Sequence, residues 1–265
     1  GTTGGLAASA STTLTYAGVV NGLGALAVNA ATDATGTVIL SSADIFMGGT
    51  TVSRGTLQLG NAGALGIGTL ALNGGTVNGS TALTALTLGG LSGTATGSLL
   101  SLSNTNATPA AIALSVGSNN ASTSYLGVIS GLGSVTKIGT GTLTLAGANT
   151  YTGATAINRG GVTLDFSAAT PTTNILAATS ALSMGGGTLT LTGKASTTNA
   201  QTFAGLTLNS GANAIVLTAN ATANPLALTV GAITANAGAT LNVTLPAGTL
   251  AANNGFNTTT AAVNG

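Results

Sequence analysis

The chain has 265 residues, of which 44% are hydrophobic but only 3% aromatic and 3% charged. Since a typical soluble domain is roughly 25% charged, the polar surface must come from neutral Thr, Ser and Asn. The net charge is +1, and the basic residues are too scattered for a nucleic-acid footprint: they are Arg54, Lys137, Arg159 and Lys194. We therefore expect no nucleic-acid partner.

Features that the sequence lacks narrow the class of protein further. There is no cysteine, which excludes disulfides and thiolate metal sites. No uninterrupted apolar run of about 18 residues occurs, so we expect no transmembrane segment in this chain. The chain opens on Gly1-Thr2-Thr3, without the basic and apolar segments of a signal peptide. We interpret it as a piece of a larger protein.

Short strands with alternating apolar residues recur along the whole chain. Period-two alternation places each Leu on one face of a strand and each Thr or Gln on the other. Asn-Gly and Gly-Gly pairs between these segments are turn signals, because Gly adopts positive φ without steric cost. The clearest strands are Thr56–Leu59, Thr69–Leu72, Ala85–Leu88, Thr142–Leu145, Thr188–Leu191 and Gly205–Leu208. The chain is therefore predicted to be all-β, without significant helix.

A long internal repeat is the main signal in the sequence. Residues 37–59 align without a gap with residues 142–164. The flanking segments match as well, 16–24 with 125–133 and 70–77 with 182–189. We predict one elongated β-solenoid over 1–265, with repeat units at roughly 16–124 and 125–219 and an irregular C-terminal extension at 220–265. At about 20 residues per coil, it would have about 12 coils and a length on the order of 60 Å.

Strands of this kind also suit a β-sandwich or barrel. Three features favour the solenoid. Tandem duplication adds coils without redesigning a closed core, and a narrow core of Leu, Val, Ile and Ala needs few aromatics. Neutral Thr, Ser and Asn in neighbouring coils can also stack on themselves at about 4.8 Å, as like charges cannot.

One segment, Gly139 to Gly160, resembles the passenger-associated repeat of autotransporter proteins. Its Gly-Thr-Leu-Thr-Leu strand stands at 141–145, its Asn-Thr-Tyr-Thr-Gly turn at 149–153, and its last two strands at 155–158 and 160–164. The first copy departs from the pattern, with Asp44-Ile-Phe-Met-Gly48 at the turn. The resemblance implies a right-handed parallel β-helix on a bacterial cell surface or outside the cell. It supplies no catalytic residues.

The inventory of reactive side chains is nearly empty. Histidine and glutamate are absent, and the acids are Asp33, Asp44 and Asp165. A hydrolase on a β-helix needs several acids converging in a groove, so we predict no enzyme and no catalytic, cofactor-binding or metal site. Asp165 is expected to form an exposed ion pair with Arg159. Asp44 and Asn149, which occupy equivalent positions, are expected to make Asx-type turn contacts.

Tyrosines could serve as sugar-stacking platforms if they were exposed. Tyr16, Tyr125 and Tyr151 are instead expected to pack inside or to cap turns.

Two functions stay open from the sequence. The first is an extracellular or cell-surface structural rod, stalk or filament building block. It would self-associate end to end, since neither end shows a polar cap. The alternative is an adhesin or carbohydrate-binding passenger module that contacts surface glycans through loops such as Ser101–Pro109 or Ser118–Ser124.

Overall fold

The computed structural model describes residues 3–168, 171–221 and 224–259, which form 27 strands and no helix. The strands of the first third are β1 (Gly4–Leu6), β2 (Thr13–Tyr16), β3 (Asn21–Gly22), β4 (Leu26–Val28), β5 (Thr37–Leu40), β6 (Ile45–Phe46), β7 (Thr50–Val52), β8 (Thr56–Leu59) and β9 (Thr69–Leu72). Those of the middle third are β10 (Thr76–Gly79), β11 (Ala85–Leu88), β12 (Gly90–Ser92), β13 (Leu99–Asn104), β14 (Ala113–Val116), β15 (Thr123–Tyr125), β16 (Val128–Ser130), β17 (Val135–Lys137) and β18 (Thr142–Leu145). The last are β19 (Thr155–Ile157), β20 (Gly161–Asp165), β21 (Leu182–Met184), β22 (Thr188–Thr192), β23 (Asn199–Leu208), β24 (Gly211–Thr218), β25 (Leu226–Ala235), β26 (Ala239–Thr244) and β27 (Gly255–Thr258).

These strands wind into a parallel β-solenoid with three faces. The first face is β1-β4-β7-β9-β12, continued through the Gly93–Tyr125 bridge by β15-β18-β20-β22-β24-β26. The second face is β2-β5-β8-β10-β13-β16, continued in later coils by irregular segments and the first halves of β23 and β25. The third face begins with β3-β6 and continues with β11-β14-β17-β19-β21 and the second halves of β23 and β25. We name the corners by the faces they join: corner 1–2, corner 2–3 and corner 3–1.

The solenoid class predicted from the sequence is confirmed, but the coil count was too high. The structure has about 10 turns rather than 12, for a length of about 50 Å at the usual strand spacing. The reason is coil length. Thr13 and Val128 lie five strands apart on the second face, so the average coil there holds about 23 residues instead of the assumed 20.

Inward side chains form continuous apolar columns, because each strand lies in register on the one before. On the second face a single column runs through six coils: Leu14, Val38, Leu57, Val77, Leu100 and Ile129. Outward positions stack in the same way, as in the column Ser124, Thr144, Thr163 and Thr190 on the first face. The exterior is therefore covered by neutral hydroxyl groups around a dry aliphatic core.

Each copy of the sequence repeat closes one complete coil. In the first copy Thr37 pairs with Thr56, and in the second Thr142 pairs with Gly161. The two copies do not lie on the same side of the rod. The first begins and ends on the second face, whereas the second begins and ends on the first face. Equivalent residues of the two copies are thus separated by five coils and rotated by one face.

Asn149 joins three successive coils inside the second copy. Its Oδ1 accepts from the Ile129 N–H at 2.8 Å, and its Nδ2 donates to the Gly147 and Ile175 carbonyls at 2.8 and 3.0 Å. The expected Asx-type turn accounts only for the local bond to Gly147, because Ile129 and Ile175 belong to the neighbouring coils. The side chain acts mainly as a link between coils.

Asp44 occupies the same place in the first copy but lacks the donor. Its Oδ1 accepts from the Val20 N–H of the preceding coil at 2.8 Å, so the expectation of a local Asx turn was wrong. Its Oδ2 is buried and has no hydrogen-bond partner among the described residues. Burial raises the pKa of Asp44 above its ordinary value of 3.8, although the Val20 N–H opposes the shift. The position favours an amide or a protonated acid.

We expect Asp44→Asn to stabilise the protein at pH 7 by about 1 kcal/mol, because it supplies the missing donor. A raised pKa in the folded state means that Asp44 stabilises below pH 3.8 and loses this effect as the pH rises through the folded-state value. The difference between variant and wild type should therefore shrink in acid. The urea midpoints of wild type and variant, measured at pH 7 and again below pH 3.8, check this. The exposed Asp33 gives the matched control: Asp33→Asn should shift neither midpoint.

Lys137 interrupts an otherwise apolar column on the third face. The column reads Leu88, Val116, Lys137, Ile157, Met184 and Leu208. Lys137 is 1% exposed; its stem lies between Val116 and Ile157, and its ammonium group donates to the Ile138 and Gly139 carbonyls. Burial lowers the pKa of Lys137 below its ordinary 10.5.

The lowered pKa of Lys137 predicts the pH dependence of Lys137→Met. Because the folded state disfavours the ammonium, wild type should gain stability relative to the variant as the pH rises from 7 towards 10.5. Comparing the two proteins cancels the tyrosine ionisation that both share. Parallel urea titrations at several pH values measure the difference. A difference that stays constant, or moves in favour of the variant, would contradict this account of Lys137.

Candidate functional site

Long loops collect at one corner of the solenoid. At corner 1–2 the third and fourth coils cross in three residues each, 53–55 and 73–75. Long crossings occur singly or in pairs in the first, second and fifth coils, at 7–12, 29–36 and 93–98. In the last four coils every crossing is long: 166–172, 193–198, 219–225 and 245–254. Residues 169–170 and 222–223 of these loops lie outside the described residues. Since the flanking strands are in register, the four loops lie one above another, and we call this group the crest.

Buried amides fix the crest from beneath. Asn199 accepts from the Lys194 N–H at 2.7 Å and donates to the Thr172 carbonyl at 3.0 Å, so it joins two successive crest loops. Asn254 accepts from the Leu226 N–H at 3.1 Å and donates to the carbonyls of Ala247 and Thr249 within its own loop. Both side chains are at least 96% buried. Neutral buried amides therefore hold two of the crest loops from the side of the core.

The last crest loop borders a small cleft of about 270 Å³. Leu250 and Phe256 supply apolar surface, while Asn254 and Asn257 lie beside them. Leu250 is 54% exposed, and the Asn257 amide donates to the Ala252 carbonyl at 2.9 Å. An apolar wall beside a few fixed polar groups is the usual composition of a small-ligand site.

The acids predicted to be non-catalytic do not come together. Asp33 and Asp44 lie in the second coil, whereas Asp165 lies six coils further along at the end of β20. Asp165 accepts from the N–H and the hydroxyl of Ser167, at 2.9 and 2.6 Å. No group of three potential metal-ligating side chains occurs among residues 3–168, 171–221 and 224–259.

The ion pair expected between Asp165 and Arg159 is wrong. Arg159 lies in the turn before β20, and Asp165 accepts hydrogen bonds from Ser167 beyond the end of that strand. An extended strand advances about 3.3 Å per residue, so the intervening residues hold the two charges far apart. A close pair would require a reverse turn between them.

The tyrosine platforms also find no support. Tyr125 and Tyr151 are buried, and the Tyr151 hydroxyl shares a 2.6 Å hydrogen bond with Thr155 Oγ1. Tyr16, in the first coil, is half-buried and packs against the core. The expectation that these rings pack inside therefore holds for Tyr125 and Tyr151, whose burial also raises the pKa of both phenols.

The two loops predicted to make contacts lie away from the crest. Ser101–Pro109 belongs to β13 and to corner 2–3, and Ser118–Ser124 spans corner 3–1 and the start of β15. The sequence missed the crest because its loops have no common motif. Spacing is a weak signal: six or more residues follow the strands that end at 165, 192, 218 and 244, but equally long gaps follow those that end at 6, 28 and 92.

Asn254→Ala should destabilise the last coil by about 1–3 kcal/mol, because it leaves the Leu226 N–H and two loop carbonyls without partners. The neighbouring Asn253 is exposed, so Asn253→Ala provides a matched control with an expected change within about 0.5 kcal/mol. Hydrogen exchange of the Leu226 amide measures the effect locally. Equal exchange rates in the two variants would show that the amide does not anchor the crest.

None of the described residues forms a helix long and apolar enough to span a bilayer.

Comparison with known proteins agrees with the repeat and the solenoid. Residues 35–59 and 135–164 match the passenger-associated-transport-repeat family, and each match contains the strands that close one coil. The chain is 38% identical over 214 residues to an adhesin, the BmaC autotransporter of Brucella suis biovar 1 (strain 1330). That alignment covers 79% of this chain but 6% of the relative. No solved structure matches the chain. The chain is thus an autotransporter passenger-associated repeat protein, located at the cell surface or outside the cell.

Proposed function

We propose that this chain is an adhesive segment of a surface passenger, in which the solenoid is a stiff shaft and the crest makes the contact. The observation that carries the proposal is the stacking of four consecutive long loops at one corner, where the third and fourth coils cross in only three residues. Loops positioned by a rigid scaffold are where binding residues concentrate. The similarity to an adhesin supports the same reading.

The chemistry of the crest favours a neutral, hydroxyl-rich ligand such as a surface glycan. The four crest loops contain one charged residue, Lys194. Their exposed residues otherwise offer hydroxyl and amide groups, as at Ser167, Thr172, Ser196, Thr198 and Asn220. The cleft at Leu250 and Phe256 adds the apolar surface on which one face of a sugar ring can lie. We expect this function to be non-enzymatic, since Asp165 lies six coils away from Asp33 and Asp44.

Shortening one crest loop tests this function directly. The fourth coil crosses corner 1–2 with Asn73-Gly74-Gly75, so replacing residues 193–198 by Asn-Gly-Gly uses a turn that the fold already accepts. We expect saturable glycan-array binding by the full chain and at least about a tenfold loss in this variant. Leu250→Ser should weaken binding through the cleft.

A matched change at another corner serves as the control. Replacing residues 105–109 at corner 2–3 should leave glycan binding intact, and circular dichroism should show that every variant keeps its β structure. Loss of binding only in the 105–109 variant would move the contact to the loop first predicted from the sequence. If the wild-type chain bound no glycan, the adhesive function would be wrong and the passive rod would remain as the function.

A passive rod that continues end to end is the second candidate, favoured by the terminal coils. Inward side chains that are fully buried in the middle are only half-buried at the two ends, as at Leu6 and Leu14 in the first coil and at Leu241 and Val243 in the last described one. Strand edges and apolar groups at both ends could therefore accept a further coil. The glycan-array experiment separates the two candidates, since a passive rod binds nothing through its crest.

A further inference from the structure

An apolar ridge stands on the side of the first three coils. Among the described residues, eight large hydrophobic side chains are exposed, and five of them lie here at 51–74% exposure: Val19, Leu23, Ile45, Met47 and Ile67. Leu23 and Met47 are neighbours because β3 pairs with β6, and the Met47 N–H donates to the Gly22 carbonyl. We call these five residues the N-terminal ridge.

Ile67 continues the ridge into the third coil. A Cβ on Gly66 would lie 2.4 Å from the Phe46 carbonyl oxygen, and one on Gly68 would lie 2.2 Å from that of Gly48. Ile67 therefore stacks on Met47, as Met47 does on Leu23. The outcome is a row of three aliphatic side chains at about 4.8 Å intervals along corner 3–1.

A glycine furrow runs beside this row. Gly24, Gly48 and Gly68 stack directly, and a side chain at either of the last two would strike the carbonyl of the glycine before it. The close approach of the coils thus requires glycine at these positions. The surface consequently has a raised apolar row and, next to it, a channel of the same length with no side chains.

The charge around the ridge excludes a partner held by salt bridges. Segments 17–25, 41–49 and 63–68 contain one ionisable residue, Asp44, and its side chain is 6% exposed. The net charge of the whole chain is +1. A second copy of the chain therefore meets almost no electrostatic repulsion at this surface.

We propose that the N-terminal ridge is a side-by-side dimer interface between two copies of this chain, related by a two-fold axis. In an antiparallel arrangement the row of each copy enters the furrow of the other, so the contact is reciprocal and closes at two copies. At 51–74% exposure the five side chains present apolar surface on the order of 500 Å² per copy, within the range of large patches on monomers. Two copies would together bury about 1,000 Å², the lower bound for a specific interface.

The two-fold pairing determines which residues meet across the interface. Met47 lies in the middle of the row, so the two Met47 side chains meet near the axis, while Leu23 of each copy faces Ile67 of the other. The ridge lies along the third face and its two corners in the first three coils, whereas the crest lies at corner 1–2 of the last four. Dimerisation therefore leaves the crest accessible, and it does not depend on the adhesive function.

Sedimentation velocity of the full chain over a micromolar concentration series tests the dimer. We expect a monomer–dimer equilibrium without larger species, and a loss of about 100-fold in dimer affinity for the double variant Leu23→Ser/Met47→Thr. Leu132→Ser is the matched control. Leu132 is the counterpart of Leu23 in the sequence repeat and is 48% exposed, but it stands alone at corner 2–3. Its substitution should leave the dimer unchanged.

Disulfide cross-linking tests the position of the two-fold axis. The chain has no cysteine, so an introduced cysteine is its only thiol. Oxidation of Met47→Cys should give a covalent dimer, and oxidation of Leu132→Cys should not. Several outcomes would overturn the proposal. The first is that wild type stays monomeric at about 100 µM. The second is that open-ended oligomers form and survive the double substitution. The third is that monomers bind phosphatidylcholine vesicles through the ridge.

Discussion

The structure depends on one repeated interaction, the in-register hydrogen bonding of each parallel strand to the strand one coil before it. This stacking places equivalent atoms about 4.8 Å apart along the axis. Every side chain therefore has two neighbours of its own column, and its identity is constrained by them. Aliphatic residues satisfy that constraint inside, and small hydroxyl residues satisfy it outside, as in the column from Ser124 to Thr190.

The same constraint explains the buried polar groups. A coil passing through a corner turns some of its peptide groups away from the strand ladder, and those that find no backbone partner in the next coil need a side chain as partner. Asn149, Asn199 and Asn254 do this with amides that both donate and accept. Asp44 departs from this use of amides, because it carries a carboxyl group at such a position. Lys137 is a basic residue within an otherwise apolar column. Both keep their side chains buried at the cost of an altered pKa.

Much of this architecture could be predicted from the sequence, because columns are a consequence of period-two patterns. The Leu-Thr-Leu segments and the repeat at 37–59 and 142–164 indicated strands, their inward faces and a solenoid. The coil count could not be predicted closely, since crossings of corner 1–2 range from two residues at 126–127 to ten at 245–254. Loop length carries no apolar period, and the number of residues per coil follows from it.

The candidate surfaces were hidden from the sequence for a related reason. Val19, Leu23, Ile45, Met47 and Ile67 look like ordinary members of alternating strands, and only the register shows that they point outward together. The crest likewise requires knowing which corner each loop occupies. The rotation of the two repeat copies by one face adds to this difficulty, because equivalent residues such as Leu23 and Leu132 occupy different corners. The division into units at 16–124 and 125–219 stays a prediction.

The length of the crest loops has a consequence for how the protein withstands proteolysis. A protease that cleaves the backbone at an exposed position such as Ser196 leaves two fragments, yet β22 on one side of the cut still pairs with β20 and β24. On the other side, β23 still pairs with β21 and β25. The nicked rod therefore stays assembled, because hydrogen bonds between strands of the two fragments hold them together. Damage at the most accessible part of the molecule is confined to the loop in which it occurs.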